Sequence, residues 1–280
     1  MSIRNLVPDS LRPAARRAAL AAGAVTRRWR MDPDFIVIGG QRCGTTTLFK
    51  TLADHPQVRR PTAVKGTDYY TLHYAHGLDW YRSRMPMALG ASEDVKAFEA
   101  CTYYMFHPFA VERIARDYPN VKLVAMLRDP VPRAFSAYKH ELARGFETET
   151  DFLSALRLEP ARLEGEIEKM RADVSYESFS HRHHAYLSRG QFAEQLERVY
   201  QHFPRNQVHV MRSETFFADP HAEIGKLTDF LGLAPWTPAH VEQHNARPSS
   251  GMPEEAHEFL VQHFRPHNEA LEELLTAQSA

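Results

Sequence analysis

Eight residues, Gly39–Gly40–Gln41–Arg42–Cys43–Gly44–Thr45–Thr46, carry the groups needed to hold an oxyanion. Glycines let the chain turn so that successive backbone N–H groups face one point, and threonine hydroxyls extend that donor set. The apolar run Phe35–Ile36–Val37–Ile38 precedes them, and Leu48 and Leu52 follow at helical spacing. The order is therefore strand, glycine loop, helix, with the helix N-terminus favouring negative charge. A nucleotide-hydrolysing loop of this kind reads GxxxxGK[ST], with the Lys on the β/γ-phosphates and the Ser/Thr on magnesium. Here Thr45 stands in the Lys position, and the cation lies three residues earlier, at Arg42. The chemistry implied is capture of a phosphate-like group without a triphosphate and its metal.

A second chemical cluster ends another apolar run. Val121–Lys122–Leu123–Val124–Ala125–Met126–Leu127 has the near-continuous apolar character of a strand buried in a parallel sheet. It leads into Arg128–Asp129–Pro130, and Pro132 is expected to open a helix carrying Ala134, Tyr138 and Leu142 on one face. Between the two clusters, residues 55–90 are rich in Pro and aromatics and centre on Lys65–Gly66–Thr67–Asp68–Tyr69–Tyr70, a segment placed to face a substrate. Tyr69, Tyr70, Trp80 and Tyr81 read equally as an apolar acceptor pocket or as a minor core.

Downstream, Phe192, Leu196, Val199, Tyr200 and Phe203 fall at helical intervals before Pro204. Val208 and Val210 suggest a short strand. Asp219–Pro220 starts a helix with Ile224, Leu227, Phe230 and Leu231 inward and Gly232 as its stop, and Pro253 begins a last helix. Strands alternating with helices around a glycine loop predict an α/β fold, a P-loop-type parallel sheet flanked by helices. The expected organisation is a basic arm over residues 1–31 and one domain over 32–280, with a helical or lid-like insertion at 145–185.

Composition bounds the partners. The chain has 280 residues and a formal net charge of −1, so no global field draws nucleic acid and any anion site must be local. Its two cysteines, Cys43 and Cys101, match no disulfide framework or zinc spacing, which points to a reducing, cytoplasmic setting and no structural metal. The first thirty residues hold seven Arg, no Lys and one acid, Asp9. They read as a solvated or loosely docked helical arm, or as a peripheral contact with anionic lipid. No apolar run approaches the ~20 residues that span a bilayer.

The loop Gly39–Leu48 resembles the 5′-phosphosulfate loop of the sulfotransferases that use 3′-phosphoadenosine 5′-phosphosulfate (PAPS). About eighty residues on, Leu127–Arg128–Asp129–Pro130–Val131–Pro132–Arg133–Ala134–Phe135–Ser136–Ala137–Tyr138 resembles that family's 3′-phosphate motif. Weaker similarity covers Glu99–Tyr103, Tyr186–Phe192, the Asp219–Leu233 helix and His244–Pro248, nearest the bacterial and heparan-sulfate-type branch. The resemblance implies PAPS as donor, with Gln41, Arg42, Cys43, Gly44, Thr45, Thr46 and Thr47 around its 5′-phosphosulfate. Arg128 and Ser136 would take the 3′-phosphate, and Arg247 would reach the nucleotide from a C-terminal loop. It also implies sulfuryl transfer to a hydroxyl or amine of a small-molecule, glycolipid or carbohydrate acceptor, with no metal.

One departure matters. Heparan-sulfate-type relatives follow the Lys with a Glu that serves as base, whereas Lys65 is followed by Gly66. If the segment is extended, residues 66 and 68 point the same way, making Asp68 the first candidate base. His73, whose pKa range suits base work, is the second and Glu99 the third. Lys65 remains as a cation beside the transferring group. Cys43 reads as a small loop filler, since no His is placed to activate it, and His181–Arg182–His183–His184 as a solvated or substrate-contact patch. Two other functions stay open: a nucleotide or small-molecule kinase, and a non-catalytic nucleotide-binding protein that lost its base.

Overall fold

The computed structural model describes residues 12–62, 64–241 and 251–277. Helix α1 (Arg12–Val25) precedes β1 (Phe35–Gly39), α2 (Thr45–Ala53), β2 (Val58–Arg59), α3 (Tyr69–Leu72), α4 (Leu78–Arg82) and β3 (Lys96–Ala100). Then follow α5 (Ala110–Asp117), β4 (Lys122–Leu127) and α6 (Pro130–Ala143). After these come α7 (Phe152–Leu163), α8 (Glu166–Ala172), α9 (Phe179–His183), α10 (Phe192–His202) and β5 (Val208–Arg212). Helices α11 (Ser213–Ala218), α12 (Pro220–Leu231) and α13 (Glu254–Thr276) complete the chain. The five strands form one sheet in the order β2-β3-β1-β4-β5, and every pair is parallel.

Central β1 is buried along its whole length, with Phe35, Ile36, Val37 and Ile38 at most 1% exposed. Each such side chain contributes roughly 1.5–3 kcal/mol of transfer free energy, which explains an apolar run with no alternation. Because all strands run one way, their carboxyl ends lie along one edge. The glycine loop, Thr102, Arg128 and Ser213 follow β1, β3, β4 and β5 there, at the place where open α/β sheets bind ligands.

Local signals set the helices that carry these ends. Helix α6 begins at Pro130 rather than Pro132: Asp129 is its cap, accepting from the Val131 N–H at 2.9 Å, and Pro130 takes the first position, where no N–H is needed. Asp219 caps α12 in the same way, and Gly232 ends that helix at φ 71°. Strand β3, which sequence periodicity did not single out, contributes Glu99 and the turn that follows. The aromatics Tyr69, Tyr70 and Tyr81 are at most 2% exposed and pack ring to ring within the main core, with Trp80 partly buried against it.

The basic arm's described part is docked. Arg30 donates to the Met85 carbonyl and to Thr62, and Arg27 pairs with Asp79. Residues 1–11 lie outside the described residues, and none of the described helices is long and apolar enough to cross a membrane.

Residues 145–185 form three helices, α7 to α9, fastened by buried carboxylates. Glu159, 2% exposed, accepts from the backbone N–H groups of Tyr186, Leu187 and Ser188 and from the Ser188 hydroxyl, at 2.6–2.8 Å. Glu147 holds Arg162 and the Tyr186 hydroxyl, and Glu166 holds Tyr176 and Ser178. Arg133, fully buried in α6, donates to the Tyr186 carbonyl. Glu159→Ala strands three buried N–H donors at about 1–3 kcal/mol each, so urea denaturation is expected to show a loss of several kcal/mol, and a loss under about 1 kcal/mol would contradict this account of the insertion.

Candidate active site

The glycine loop is held from beneath by three strands. Gly40 N–H donates to the Met126 carbonyl of β4 at 2.6 Å, and the Ser213 hydroxyl after β5 donates to the Cys43 carbonyl. Arg42 and Gly44 take positive φ of 65° and 90°. Such alternation of handedness turns successive N–H groups into one concavity. A left-handed non-glycine residue is strained, and its retention at Arg42 is of the kind found at ligand clamps. At Gly44 a Cβ would also press on the Phe217 ring, 3.0 Å away.

Above the loop opens a cavity of about 800 Å³, large enough for a nucleotide and part of a second ligand. Seven Lys or Arg side chains line it, against three acids, Asp68, Glu141 and Glu214. This is strongly positive for a chain of net charge −1, and such local concentration attracts polyanions. Arg42 Nε donates to the Ser136 hydroxyl at 2.9 Å, and Arg128 Nη1 donates to the Arg42 carbonyl at 3.2 Å. The two sequence clusters, ninety residues apart, thus share one wall.

Lys65 closes the opposite side. Its ammonium donates to the hydroxyls of Thr45 and Thr46 at 3.3 and 3.2 Å. The cation missing from position 45 is thereby supplied in space by another segment. Burial lowers the Lys65 pKa to about 8, with Cys101 and Asp68 opposing that shift.

Gly66 has a steric cause. A Cβ there would lie 2.2 Å from the Ala100 carbonyl oxygen, so the chain can approach the end of β3 only without a side chain. The segment is also not extended, because Asp68 adopts φ 52°. Asp68 nevertheless lines the cavity, by this turn rather than by strand alternation.

Gln41, Arg42, Gly44, Thr45, Thr46, Lys65, Asp68, Arg128 and Ser136 all face the cavity. Four other sequence candidates, Cys43, Thr47, His73 and Glu99, do not. Cys43 is fully buried and its thiol is pushed up to about 12, mainly by burial, leaving almost no thiolate at neutral pH. Thr47 is buried in α2. His73 packs beside Trp80 and His76, with burial lowering its pKa. Glu99 is fully buried and accepts from Thr67 N–H and hydroxyl at 2.8 Å and from Tyr104 at 2.9 Å. Burial raises its pKa to about 7 against those bonds. Its visible work is to tie the Lys65–Asp68 segment to β3. Arg247 lies outside the described residues.

Sequence reasoning passed over part of the wall. Glu141, 1% exposed, accepts from Gln41 Nε2 at 3.2 Å and pairs with His183 Nδ1 at 2.9 Å, so the insertion reaches the glycine loop through one carboxylate. His181 is not solvated: it is 4% exposed and meets the Tyr103 hydroxyl at 2.7 Å. Arg189 stacks over Tyr103 and Phe106 and donates to the His181 and Arg182 carbonyls. The charged run Lys139–His140–Glu141 on α6, with Arg144 at that helix's C-cap, directly after Ser136, was the available signal.

Gly66→Ala is expected to cost about 1–3 kcal/mol, because the Ala100 backbone cannot yield. Gly66→Glu should be no better folded and no more active. A thermally unchanged Gly66→Ala, measured by calorimetry, would contradict the close approach.

Residues 32–249 match the family described as Sulfotransferase domain. The chain is 26% identical to the membrane-associated sulfotransferase kil1 of Dictyostelium discoideum, over 87% of its own length and 65% of that protein's. It is 30% identical to human heparan sulfate glucosamine 3-O-sulfotransferase 3B1, over 81% and 51%. The chain therefore spans about half to two thirds of these curated relatives. A crystal structure of a sulfotransferase from Alicyclobacillus acidocaldarius superposes with a TM-score of 0.69 at 28% identity, covering 88% of this chain and 96% of that one. A five-stranded parallel sheet with its cationic cavity over the β1 loop, matched in sequence and in fold, makes this chain a member of the sulfotransferase-domain family.

Proposed function

We propose that the protein transfers the sulfuryl group of PAPS to a hydroxyl of a carbohydrate acceptor. The observation that carries this reading is the Arg42–Ser136 contact at 2.9 Å, which joins the loop cation to the second anion-binding motif. The loop donors with Lys65 form one grip and Arg128 with Ser136 a second, and the two meet at Arg42, an arrangement that suits a nucleotide phosphorylated at both ends of its ribose. The cradle fits such a donor, with left-handed backbone at Arg42 and Gly44 and cations on both walls. When bound, the donor supplies a sulfuryl group on a phosphate leaving group: an S–O bond forms to the acceptor as another breaks, its electron pair passing to the phosphate oxygen.

The chain's own residues divide that work. The glycine loop and Arg42 hold the 5′ end, and Arg128 with Ser136 holds the 3′-phosphate. Arg42 and Lys65 neutralise charge growing on the leaving oxygen, a task that preorganised donors perform without reorganisation. Asp68 takes the acceptor hydroxyl proton. Lys139, Arg144 and Arg182 line the cavity beyond this grip. Together with the relatives named for heparan sulfate, they favour a carbohydrate bearing its own anionic groups. Peripheral contact with anionic lipid through the arm accords with the relative named as membrane-associated.

Labelled PAPS offered with heparosan, an uncharged glucan and a simple phenol should label heparosan most. Arg128→Ala should weaken binding of adenosine 3′,5′-bisphosphate (PAP) at least about tenfold, as expected for a lost charge-assisted contact. Asp68→Asn should leave PAP affinity within about twofold and cut turnover ~10²–10⁴-fold. Full turnover in Asp68→Asn would sink the base assignment.

Lys65 must be protonated to hold an anion. PAP affinity should therefore fall as pH rises through about 8 and lose that dependence in Lys65→Arg. Calorimetric titration across that range checks it, and an unchanged wild-type affinity would rule out Lys65 as a donor ligand.

A further inference from the structure

Asp68 stands at the N-cap of α3, where an Asp side chain ordinarily accepts from the helix's first free N–H groups. It makes no such bond. It also sits in the left-handed region, at φ 52°, which is uncommon for any residue other than glycine even though Asp tolerates it better than most. The capping bond is thus forgone at a backbone conformation that is itself uncommon. The carboxylate turns instead toward the cavity, and its Oδ1 accepts from the thiol of Cys101 at 2.9 Å.

Cys101 is well fixed for this task. It is 4% exposed, directly follows β3, and its N–H donates to the Val37 carbonyl of β1 at 3.0 Å. Its backbone is therefore anchored to the central sheet.

We propose that Cys101 is a positioning residue that holds the Asp68 carboxylate in place to accept the acceptor's proton. This rests on the reading of Asp68 as the base. Cys101 touches no reacting atom in this scheme. One Asp68 oxygen is occupied by the thiol, and the other is left to the acceptor hydroxyl.

The choice of sulfur has a consequence. A thiol is a weak donor, so it orients the carboxylate while holding it less tightly than a hydroxyl does. A hydroxyl at the same place would hold the charged carboxylate more tightly and favour it, whereas a methyl would orient nothing and favour it less. The other ionisable groups that act on Asp68 are Lys65, Glu99, His73 and Tyr104. None of them differs between the variants below.

The test uses the full chain with labelled PAPS and heparosan, comparing Cys101→Ser and Cys101→Ala with wild type, each with its PAP affinity and melting temperature. Cys101→Ala is expected to lower kcat about tenfold, the scale of a misaligned proton acceptor, with PAP affinity within about twofold. Cys101→Ser should restore kcat to within about threefold of wild type and move the acid limb of the pH–rate profile to lower pH, with the Cys101→Ala limb moving the other way. Equal kcat in all three proteins, or limbs that do not separate, would overturn the proposal. A matching loss of PAP affinity in Cys101→Ala would also overturn it, by showing that Cys101 supports the nucleotide site. Loss of PAP binding by the wild type would instead refute the donor reading itself. Should Cys101→Ala fold poorly, the Cys101→Ser profile alone decides.

Discussion

Seven cationic side chains around one cavity repel one another, and much of the surrounding architecture answers that constraint. Three of them are fixed by close neighbours: Arg128 by the Arg42 carbonyl, Lys65 by two threonine hydroxyls, Arg189 by two carbonyls and two aromatic faces. Holding cations in place before an anion arrives spares reorganisation when charge develops. The parallel sheet supplies the frame, since one edge receives the ends of β1, β3, β4 and β5. The insertion is then fastened to that frame through bonded carboxylates, Glu141 of α6 on His183 and Gln41, and Glu159 on three backbone N–H groups. A buried charge without such partners would be strongly destabilising.

Legibility in the sequence followed the range of each interaction. Strand β1, the glycine loop, the order of Arg128 and Ser136, and helices α10, α12 and α13 rest on local periodicity, caps and turn residues, and these can be read within a few positions. Contacts between distant segments could not be. The approach of Lys65 to Thr45 and Thr46 spans about twenty residues and depends on how the chain returns over the loop. The insertion looked irregular because its stabilising groups are Glu residues whose partners, backbone N–H groups for Glu159 and side chains for Glu147 and Glu166, lie many positions away. Glu99 has the same character: an acidic residue on a strand reads as a candidate base, yet its three hydrogen bonds make it a tie for the Lys65–Asp68 segment.

The departure at Gly66 is likewise a matter of close packing. The sequence comparison pointed to a lost base, whereas the geometry shows a position that admits no side chain because the Ala100 carbonyl lies against it. The same tight approach brings Lys65 over the loop and turns Asp68 into the cavity. Glycine there is part of how the site is built, and a carboxylate is offered from two residues further on.

The central claim is that the cavity is shaped for a nucleotide phosphorylated at both ends of its ribose. Calorimetric titration of the full chain with PAP, 5′-AMP and magnesium-ATP tests it most directly. The account predicts that PAP binds at least about a hundredfold more tightly than 5′-AMP, the worth of a charge-assisted pair of contacts, and more tightly than magnesium-ATP. Equal affinity for PAP and 5′-AMP, or tighter binding of magnesium-ATP, would contradict it.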